Sequence, residues 1–528
     1  MFAQYRLPLR SLRLSLIALS VASLWVHTSH ADSMLIPVPN SAARPSAGVA
    51  PLLSATDPGS QRFRPVGEIR SFIGVGWMCT GTLVASVERP RDDQPALVVT
   101  AGHCSVNARL TGDNDVVIDS PMQPGFYFTP NFFYDNQADH RRYEIRRVVY
   151  STMKGTDLGL LELSATYGEL RSAGIKPTLL KNFEPVDRAI ESAHIPFFAT
   201  PGGGIFLRHS VCKSESGRPV FESEEPIRVN FPWFWSQSRP NDCIGVYGGS
   251  SGAPVFSKDG RQVIAVISTL TDPGHTGCGY ARPCELTDSG TVSRKDAVYT
   301  NSVDQFVAAM RPDNTLDLSK LDPGTGVKME RSGSWSTRST VADADGKLQP
   351  AQWNLKVSDA FEFIRFKTGP ASSIQCAQAK GYGEPMKVTD QPLIKLGVGD
   401  KEGIQAMCVI GKRLGQEPWQ AMQYATVKLR QLDNTPPTQT PNIYVREDEV
   451  GFWSVGSTVT FNENKESYYK FGARDSTNCQ SHEGYALFHD FLRLSKTQDW
   501  RYCAYGVDVA GNASPVVSQD LVRKESRQ

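Results

Sequence analysis

The chain has 528 residues, of which 40% are hydrophobic and 21% charged, a composition that excludes a disordered or collagen-like protein. Its length is sufficient for about two to four packed domains. The 56 lysines and arginines balance 55 aspartates and glutamates, so the net charge of +1 gives no broad attraction for nucleic acid or an anionic membrane. We therefore expect no nucleic-acid partner.

Residues 1–31 have the pattern of a secretory signal peptide. Arginines precede the apolar run Leu14 to Val26, and Ala31 stands at the expected cleavage position. The run is shorter than the roughly 20 apolar residues that a membrane-spanning helix needs. We therefore expect this segment to be removed, no membrane span afterwards, and a secreted protein that is extracellular or periplasmic.

Export makes the ten cysteines interpretable, because an oxidising compartment allows all of them to pair. Their grouping predicts that neighbours along the chain pair within one domain, although counting alone does not fix the connectivity. The double short spacing of a zinc site is absent from the sequence, so no structural metal is expected. The disulfide candidates are Cys79, Cys104, Cys212, Cys243, Cys278, Cys284, Cys376, Cys408, Cys479 and Cys503.

The composition changes several times along the chain and predicts its organisation. Residues 32–64 are rich in Pro, Ser and Ala, as in a propeptide or flexible lead-in. From 65 to 311, short apolar runs between Gly and Pro turns predict many short strands, closed by one amphipathic helix at Val303 to Met310. Residues 312–350 are polar and turn-rich, which predicts a linker.

Two segments in the second half resemble each other. Each has an aromatic strand, a cysteine, a variable loop and a Cys-x-x-Gly strand, and a Pro-rich stretch at 435–441 separates them. The alternative is a chance similarity between two β-rich stretches. The end of the second segment, 505–512, resembles the closing strand and turn of bacterial immunoglobulin-like or fibronectin-like modules. That resemblance implies two β-sandwich modules, at 351–433 and 442–528.

A glycine-rich segment around Ser251 is the strongest chemical signal. A serine hydroxyl is a poor nucleophile unless a base removes its proton and backbone N–H groups receive the oxyanion. Glycines beside Ser251 let the N–H groups of Gly249 and Ser251 point at one spot. By itself, a Gly/Ser-rich stretch is more often only a loop.

Two further segments supply a histidine and a carboxylate. An apolar strand delivers His103 at its end beside Cys104, for which Cys79 is the expected partner, and such a staple would hold a general base firmly. Alone, His103 reads equally well as a buried histidine bonded to a carbonyl. Asp157 opens another apolar strand and could orient the imidazole, although an aspartate there is usually a turn cap.

Taken in the order His, Asp, Ser, these motifs resemble the trypsin and chymotrypsin-like serine protease family over about residues 65–311. The stretch Thr100 to Cys104 matches the family's histidine motif almost letter for letter. The resemblance implies two packed six-stranded β-barrels with the active site in the cleft between them. It also implies site roles for His103 as base, Asp157 as orienting carboxylate, Ser251 as nucleophile, and the amides of Gly249 and Ser251 as the oxyanion hole.

Two departures from the family pattern concern activation. The acid that usually precedes the nucleophile is Ser250 here, and no Ile-Val-Gly-Gly-like new N-terminus stands ahead of Cys79. The ordinary switch pairs a freshly cut α-amino group with that buried acid, so it cannot operate in this form. We therefore hypothesise closer kinship with glutamyl-endopeptidase-like bacterial branches, which organise the oxyanion loop otherwise.

The specificity residues are less clearly marked. The resemblance suggests Ser268 and Thr269 as a substrate-binding strand, and Gly245 precedes the oxyanion glycines without an acid that would favour basic substrates. Ile267 stands where a histidine would recognise glutamate. We expect a preference for apolar or small residues.

The sequence thus predicts an all-β protein, with a double six-stranded β-barrel protease domain followed by two β-sandwich domains. The predicted function is a secreted serine endopeptidase acting on protein or peptide substrates without a cofactor or metal. A lipase of the α/β-hydrolase type is disfavoured because Ala253 breaks the Gly-x-Ser-x-Gly pattern and the histidine precedes the serine. The alternative is an inactive protease-like scaffold whose C-terminal modules bind a cell surface, glycan or protein ligand.

Overall fold

The computed structural model describes most of the chain from residue 48 onward. The predicted signal peptide lies outside the described residues. Strands dominate the described part, which confirms the all-β class. The described ranges are 48–72, 78–105, 112–184, 188–197, 205–223, 231–271, 277–279, 282–331, 333–357, 360–389, 393–413, 418–448, 451–459 and 463–523.

Six strands close the first barrel through antiparallel pairs in the order β1-β2-β3-β7-β6-β5 and back to β1, with β4 paired to β6. The ring of six strands is therefore closed, as is typical of a small barrel. Its strands are β1 (Val66–Ser71), β2 (Met78–Ala85), β3 (Pro95–Thr100), β4 (Val116–Pro121), β5 (Phe126–Pro130), β6 (Tyr143–Thr152) and β7 (Leu158–Thr166).

A second barrel follows, in which β9, β10, β12, β17, β14 and β13 form the ring. A bridge between Ser214 and Asn241 joins the ends of β10 and β12 and closes it. A side sheet of β11, β15 and β16 extends from β12. The strands are β8 (Thr178–Leu180), β9 (Ala189–His194), β10 (Arg208–Lys213), β11 (Arg218–Ser223), β12 (Pro232–Asn241), β13 (Pro254–Phe256), β14 (Gln262–Leu270), β15 (Cys284–Thr287), β16 (Gly290–Ser293) and β17 (Val298–Ser302).

Strands that face both barrels explain the continuous apolar runs of the sequence. Along β3, Ala96 and Val98 fill the interior of the first barrel, whereas Leu97 and Val99 belong to the core shared with the second. Successive side chains of a strand point to opposite faces, so a strand covered on both faces must be apolar at every position. The same alternation along β7 places the start of that strand at the junction of the barrels.

Helices are short. The predicted helix at Val303 to Met310 is present as α2 (Asp304–Ala309), which buries Phe306, and α1 (Tyr167–Ser172) begins at a Thr166/Glu169 capping box. No helix in the described part of the chain is long and apolar enough to cross a membrane. The 3-10 helices are Pro58–Phe63, Gly102–Cys104, Gln137–Asp139, Leu318–Lys320 and Met422–Tyr424.

The described part of the lead-in, residues 48–64, is packed rather than flexible. Phe63 lies in the core between the barrels and Ala50 is fully buried. The amide of Leu53 donates to the carbonyl of Leu207 at 2.9 Å, which adds the segment to the edge of the second barrel. The Pro- and Ser-rich composition suggested flexibility, but its few apolar side chains are enough to bury it.

The first C-terminal module has a three-stranded sheet, β18-β22-β25, and a five-stranded sheet, β19-β27-β26-β23-β24. Side chains of both sheets share one core, so the module is a β-sandwich. Its strands are β18 (Met329–Arg331), β19 (Ser336–Thr337), β20 (Thr340–Ala342), β21 (Leu348–Pro350), β22 (Leu355–Val357), β23 (Phe363–Pro370), β24 (Met386–Lys387), β25 (Leu393–Ile394), β26 (Gly403–Lys412) and β27 (Thr426–Leu432).

Part of the expected linker, 312–350, belongs to this sandwich. Strand β18 pairs with β22, and β19 pairs with β27. Met329 and Trp335, beside these short strands, are buried, so a few apolar side chains anchor this otherwise polar segment. Strands of two or three residues are too short to produce a readable alternation, which is why the composition alone indicated a linker.

The second module repeats the architecture with a three-stranded sheet, β28-β29-β32, over a four-stranded sheet, β31-β30-β33-β34. Its core again draws side chains from both sheets. Its strands are β28 (Asn442–Glu447), β29 (Phe452–Thr458), β30 (Glu466–Ala473), β31 (Ala486–Leu487), β32 (Leu492–Ser495), β33 (Trp500–Val507) and β34 (Val517–Leu521).

The two modules share a local arrangement. In the first, the Lys367 ammonium lies 4.9 Å from the Tyr382 ring centre and donates to carbonyl oxygens of the following loop. In the second, Lys470 and Tyr485 make the same contact at 4.6 Å, again with loop carbonyls on the ammonium. Each tyrosine hydroxyl donates to the carbonyl of the loop cysteine. The agreement favours the predicted repeat over a chance similarity.

The first module packs directly on the barrels. The side chain of Asn114 pairs with both backbone groups of Val427, donating to its carbonyl at 2.7 Å and accepting from its amide at 2.9 Å. Lys428 forms an ion pair with Asp113 at 2.6 Å. Trp335 contacts Phe221 of β11, with ring centres 6.0 Å apart, within a core that both parts supply.

We expect Trp335→Ala to lower the free energy of unfolding by about 3–5 kcal/mol, because a large buried aromatic side chain is removed. Hydrogen exchange should also accelerate in β11 and β15 of the barrel, where the ring packs. Trp419→Ala, at a partly exposed tryptophan of the same module, is the control and should leave β11 and β15 unchanged. Unaltered exchange in those strands of the Trp335 variant would show that the module does not support the barrel.

Candidate active site

The end of strand β3 positions His103. The strand continues into the short turn Gly102–Cys104, and the disulfide between Cys104 and Cys79 ties that turn to β2. A Cβ at position 102 would overlap the carbonyl oxygen of Thr152, so a glycine is required immediately before the histidine. The His103 side chain keeps 26% of its surface exposed, so it is not sealed inside the protein.

Asp157 holds the histidine from behind. Its carboxylate accepts a hydrogen bond from the His103 amide at 2.9 Å, and its other oxygen lies 2.8 Å from His103 Nδ1. Ser268 donates a third hydrogen bond to it at 2.6 Å. The carboxyl group is fully buried, and these donors compensate for its removal from water. The ring is thereby fixed with Nε2 facing away from Asp157.

The two groups shift each other's pKa. Burial alone lowers the pKa of His103, but the charge and hydrogen bond of Asp157, with a contribution from Glu222, raise it above its usual value. Burial alone raises the pKa of Asp157, but the histidine and the Ser268 hydroxyl lower it below its usual value. Asp157 is thus ionised at neutral pH and stabilises an added proton on the imidazole.

The loop that carries Ser251 lies against the histidine strand. The Ser251 carbonyl accepts from the amide of Thr80 at 2.8 Å and lies 3.7 Å from Cys104 Sγ, next to His103. Gly252, at a φ of 79°, sits so close that a Cβ there would overlap Thr100 Oγ1. The loop therefore brings Ser251 beside the turn that holds the base.

The contacts of Ser251 and Gly249 leave their reactive groups unoccupied. Among the described residues, neither backbone amide donates a hydrogen bond, and the Ser251 hydroxyl makes none, His103 included. Gly249 takes a φ of 95°, and its carbonyl is held by Thr80 Oγ1 at 2.9 Å. His103 and Asp157 are thus hydrogen-bonded to each other through their side chains. Ser251 is held beside them by contacts of its backbone carbonyl.

The three residues predicted to bind substrate make different contacts in the structure. Ser268 occupies a bulge in β14, which turns its hydroxyl toward Asp157, so its side chain supports the carboxylate. Thr269 donates to Glu222 of β11 at 2.6 Å. Gly245 packs under the lead-in, where a Cβ would lie 2.6 Å from the amide nitrogen of Ala50.

Two residues at the site were not foreseen. Glu222 acts on His103 electrostatically, and His194 of β9 contacts Ser250 beneath the loop. Neither stands in a recognisable motif, and an acid or histidine within a strand gives no signal of the loop it will meet. Only the folding of β9 and β11 beside the site brings them there.

All ten cysteines form disulfides between chain neighbours, which confirms the predicted grouping. Among the described residues, one cluster has metal-ligating groups close enough for an ion, namely Cys79, His103 and Cys104, but both sulfurs belong to a disulfide and are not thiolates. The pairs are Cys79–Cys104, Cys212–Cys243, Cys278–Cys284, Cys376–Cys408 and Cys479–Cys503.

No protein-family model and no curated protein matches the sequence. Among solved structures, the chain aligns with a thermostable serine protease, AL20, from an extremophilic microorganism, with 16% identity over 46% of this chain and 92% of that one, at a TM-score of 0.28.

Protease Anisep from Arthrobacter nicotinovorans aligns with 15% identity over 45% and 90% of the two chains, at a TM-score of 0.29. A scabies mite inactivated protease paralogue, S-I1, aligns with 16% identity over 47% and 93%, at 0.31. The barrels and the site are defined by this chain's own strand pairings and contacts.

We expect Gly252→Ala to lower the free energy of unfolding by more than about 3 kcal/mol, because the new methyl adds a steric overlap to an unfavourable backbone conformation. The control is Gly346→Ala, at a φ of 78° with open space around it, which should cost only about 1–2 kcal/mol. Chemical denaturation measures both, and equal losses would contradict the close approach at Gly252.

We expect Glu222→Gln to lower the pKa of His103, because the negative charge that favours the imidazolium is removed while Thr269 keeps a hydrogen-bond acceptor. The His103 ring would lose its proton at a lower pH in an NMR titration. Glu215→Gln, which neutralises an acid bound to Arg218 and Arg294, is the control and should leave His103 unchanged. An unchanged or raised pKa in the Glu222 variant would refute the electrostatic contact.

Proposed function

We propose that the chain is a secreted serine endopeptidase that hydrolyses peptide bonds through an acyl-enzyme. The observation that carries the proposal is the buried Asp157 carboxylate, which fixes His103 by two hydrogen bonds beside the loop of Ser251. Burying a carboxylate is costly, and this one mainly orients a single imidazole. A general base needs such an orienting carboxylate, whereas the stability of the fold does not.

The proposed mechanism has two halves, formation of the acyl-enzyme and its hydrolysis, and the same side chains act in both. Ser251 Oγ attacks the substrate carbonyl carbon while its proton passes to His103 Nε2, and the amides of Gly249 and Ser251 bind the resulting oxyanion. Asp157 stabilises the imidazolium. Collapse of the tetrahedral intermediate breaks the C–N bond, and the imidazolium gives its proton to the leaving amine. A water activated by His103 then releases the acid and regenerates Ser251.

Secretion forms part of the proposal. Disulfides that use every cysteine of the chain fit an oxidising compartment, extracellular or periplasmic, and they suit an enzyme that acts on proteins or peptides there. No residue of the mechanism calls for a cofactor. Kinship with glutamyl-endopeptidase-like branches stays a prediction, as does binding of a surface, glycan or protein ligand by the C-terminal modules.

One observation favours the alternative of an inactive scaffold, namely that the Ser251 hydroxyl makes no hydrogen bond with His103. Catalytic hydrogen bonds are often long in the free enzyme and tighten when substrate binds. The unoccupied amides of Gly249 and Ser251 and the buried Asp157 fit the enzyme better.

A fluorophosphonate serine probe tests the proposal on the full secreted chain. We expect the parent to be labelled at Ser251 and Ser251→Ala to remain unlabelled, because only an activated serine attacks the phosphorus centre. Ser289→Ala, at an exposed hairpin serine, is the matched control and should label like the parent. A parent that stays unlabelled after trimming of its N-terminal segment would overturn the proposal in favour of the inactive scaffold.

A further inference from the structure

The serine before the proposed nucleophile leads into a buried polar chain. Ser250 is fully buried beneath the loop, and its hydroxyl lies 3.3 Å from Nδ1 of His194, which is fully buried as well. On the other side of the ring, Nε2 lies 3.0 Å from the hydroxyl of Ser210 on β10. These side chains form a continuous link under the loop that carries the proposed oxyanion amides.

Hydrogen-bond donors and acceptors fix the direction of this chain. Ser210 Oγ donates to the carbonyl of Ile244 at 2.6 Å, so it accepts from His194 Nε2–H. Nδ1 is then the acceptor for the Ser250 hydroxyl, whose oxygen accepts from the amide of Tyr247 at 3.3 Å. Both ends of the chain therefore attach to one loop, at Ile244 and at Tyr247.

The chain carries no charge. Burial lowers the pKa of His194 to about 3, and the neighbouring charges of Arg208 and His209 act in the same direction. His209 is itself paired with Glu191, which also binds Arg62. Arg208 lies directly opposite His194 in the pairing of β9 with β10. His194 therefore stays neutral with its proton on Nε2 over the whole range in which a serine protease works.

We propose that His194 and Ser250 are positioning residues, which hold the 244–250 loop in the shape that aims the Gly249 and Ser251 amides at the oxyanion. The inference rests on the proposed function and extends it. In this chain a neutral hydrogen-bond chain replaces the ion pair between a buried acid and a freshly cut amine, for which Ser250 offers no carboxylate. The loop is then shaped without an ionisation of its own.

The other end of the loop is braced as well, by contacts that include no carboxylate. Gly245 packs against the backbone of Ala50, and the carbonyl of Ala50 accepts from the Arg208 guanidinium at 2.7 Å. Beside the nucleophile, the amide of Ser250 donates to the carbonyl of Tyr247 at 2.9 Å and closes a tight turn. His194 lies between these two supports and adds to the hydrogen bonds that Phe197 and Thr80 make to the carbonyls of Gly248 and Gly249.

The test uses the full chain, and the fluorophosphonate probe is applied to the parent first. An unlabelled parent would show that the proposed function has failed, so the variants are compared only if the parent is labelled. We expect Ser250→Ala and His194→Phe each to lower kcat for a short peptide ester by about 10–100-fold with little change in KM, since oxyanion donors act mainly in the transition state. The double variant should lose no more than the worse single variant, because the two residues act as one unit.

Two further variants separate positioning from packing. His194→Asn keeps an acceptor toward Ser250 and should recover part of the kcat that His194→Phe loses. Ser192→Ala removes a buried hydroxyl from the same strand that has no hydrogen-bond partner and should leave kcat unchanged. The proposal is overturned if His194→Phe and Ser250→Ala retain the parent's kcat while folded, or if their losses simply multiply in the double variant.

A pH profile provides a readout that does not depend on the variants. A switch based on an α-amino group loses activity as that amine deprotonates, near its ordinary pKa of about 8 unless an ion pair shifts it upward. The neutral chain predicts a flat labelling rate from about pH 7.5 to 9.5 in the parent. A descending limb in that range that disappears when the N-terminal amine is acetylated would show that an amine shapes the loop, and would overturn the proposal.

Discussion

The buried carboxylate of Asp157 is the constraint on which the rest of the site depends. An ionised carboxyl group without water is strongly unfavourable unless several donors surround it. Here the donors come from both barrels, with His103 following β3 of the first and Ser268 lying in β14 of the second. The full set of donors is therefore present when the barrels are docked, which couples the packing of the barrels to the environment of the imidazole.

Much of the site could be foreseen because its parts are local in sequence. Two segments predict a backbone conformation that only certain residues permit. They are the apolar strand that ends in Thr-Ala-Gly-His-Cys and the glycine-rich segment around Ser251. The long apolar runs also predicted strands, because strands buried on both faces leave no polar positions. Packing of the barrels against each other produces that double burial, as the alternate side chains of β3 show.

Other features lie beyond sequence reasoning for physical reasons. Residues 48–64 and the segment around β18 and β19 are polar stretches anchored by a few scattered apolar side chains, such as Phe63 and Trp335, and scattered residues show no periodicity. The role of Ser268 depends on a bulge in β14, which redirects a side chain that regular pairing would aim elsewhere. His194 matters only because the loop at 244–250 folds over it.

Strand β11 contacts both the first C-terminal module and the candidate active site. Phe221 and Glu222 are consecutive, so their side chains point to opposite faces of the strand. One face receives Trp335 of the module, and the other accepts a hydrogen bond from Thr269 beside Ser268. A module attached only by a flexible linker would make no such contact with β11.

Because the shared core packs against β11, the position of Glu222 relative to His103 is set partly by a segment well after the barrels in sequence. The boundary between the barrels and the first C-terminal module is therefore less sharp in the folded protein than the composition of the sequence indicates.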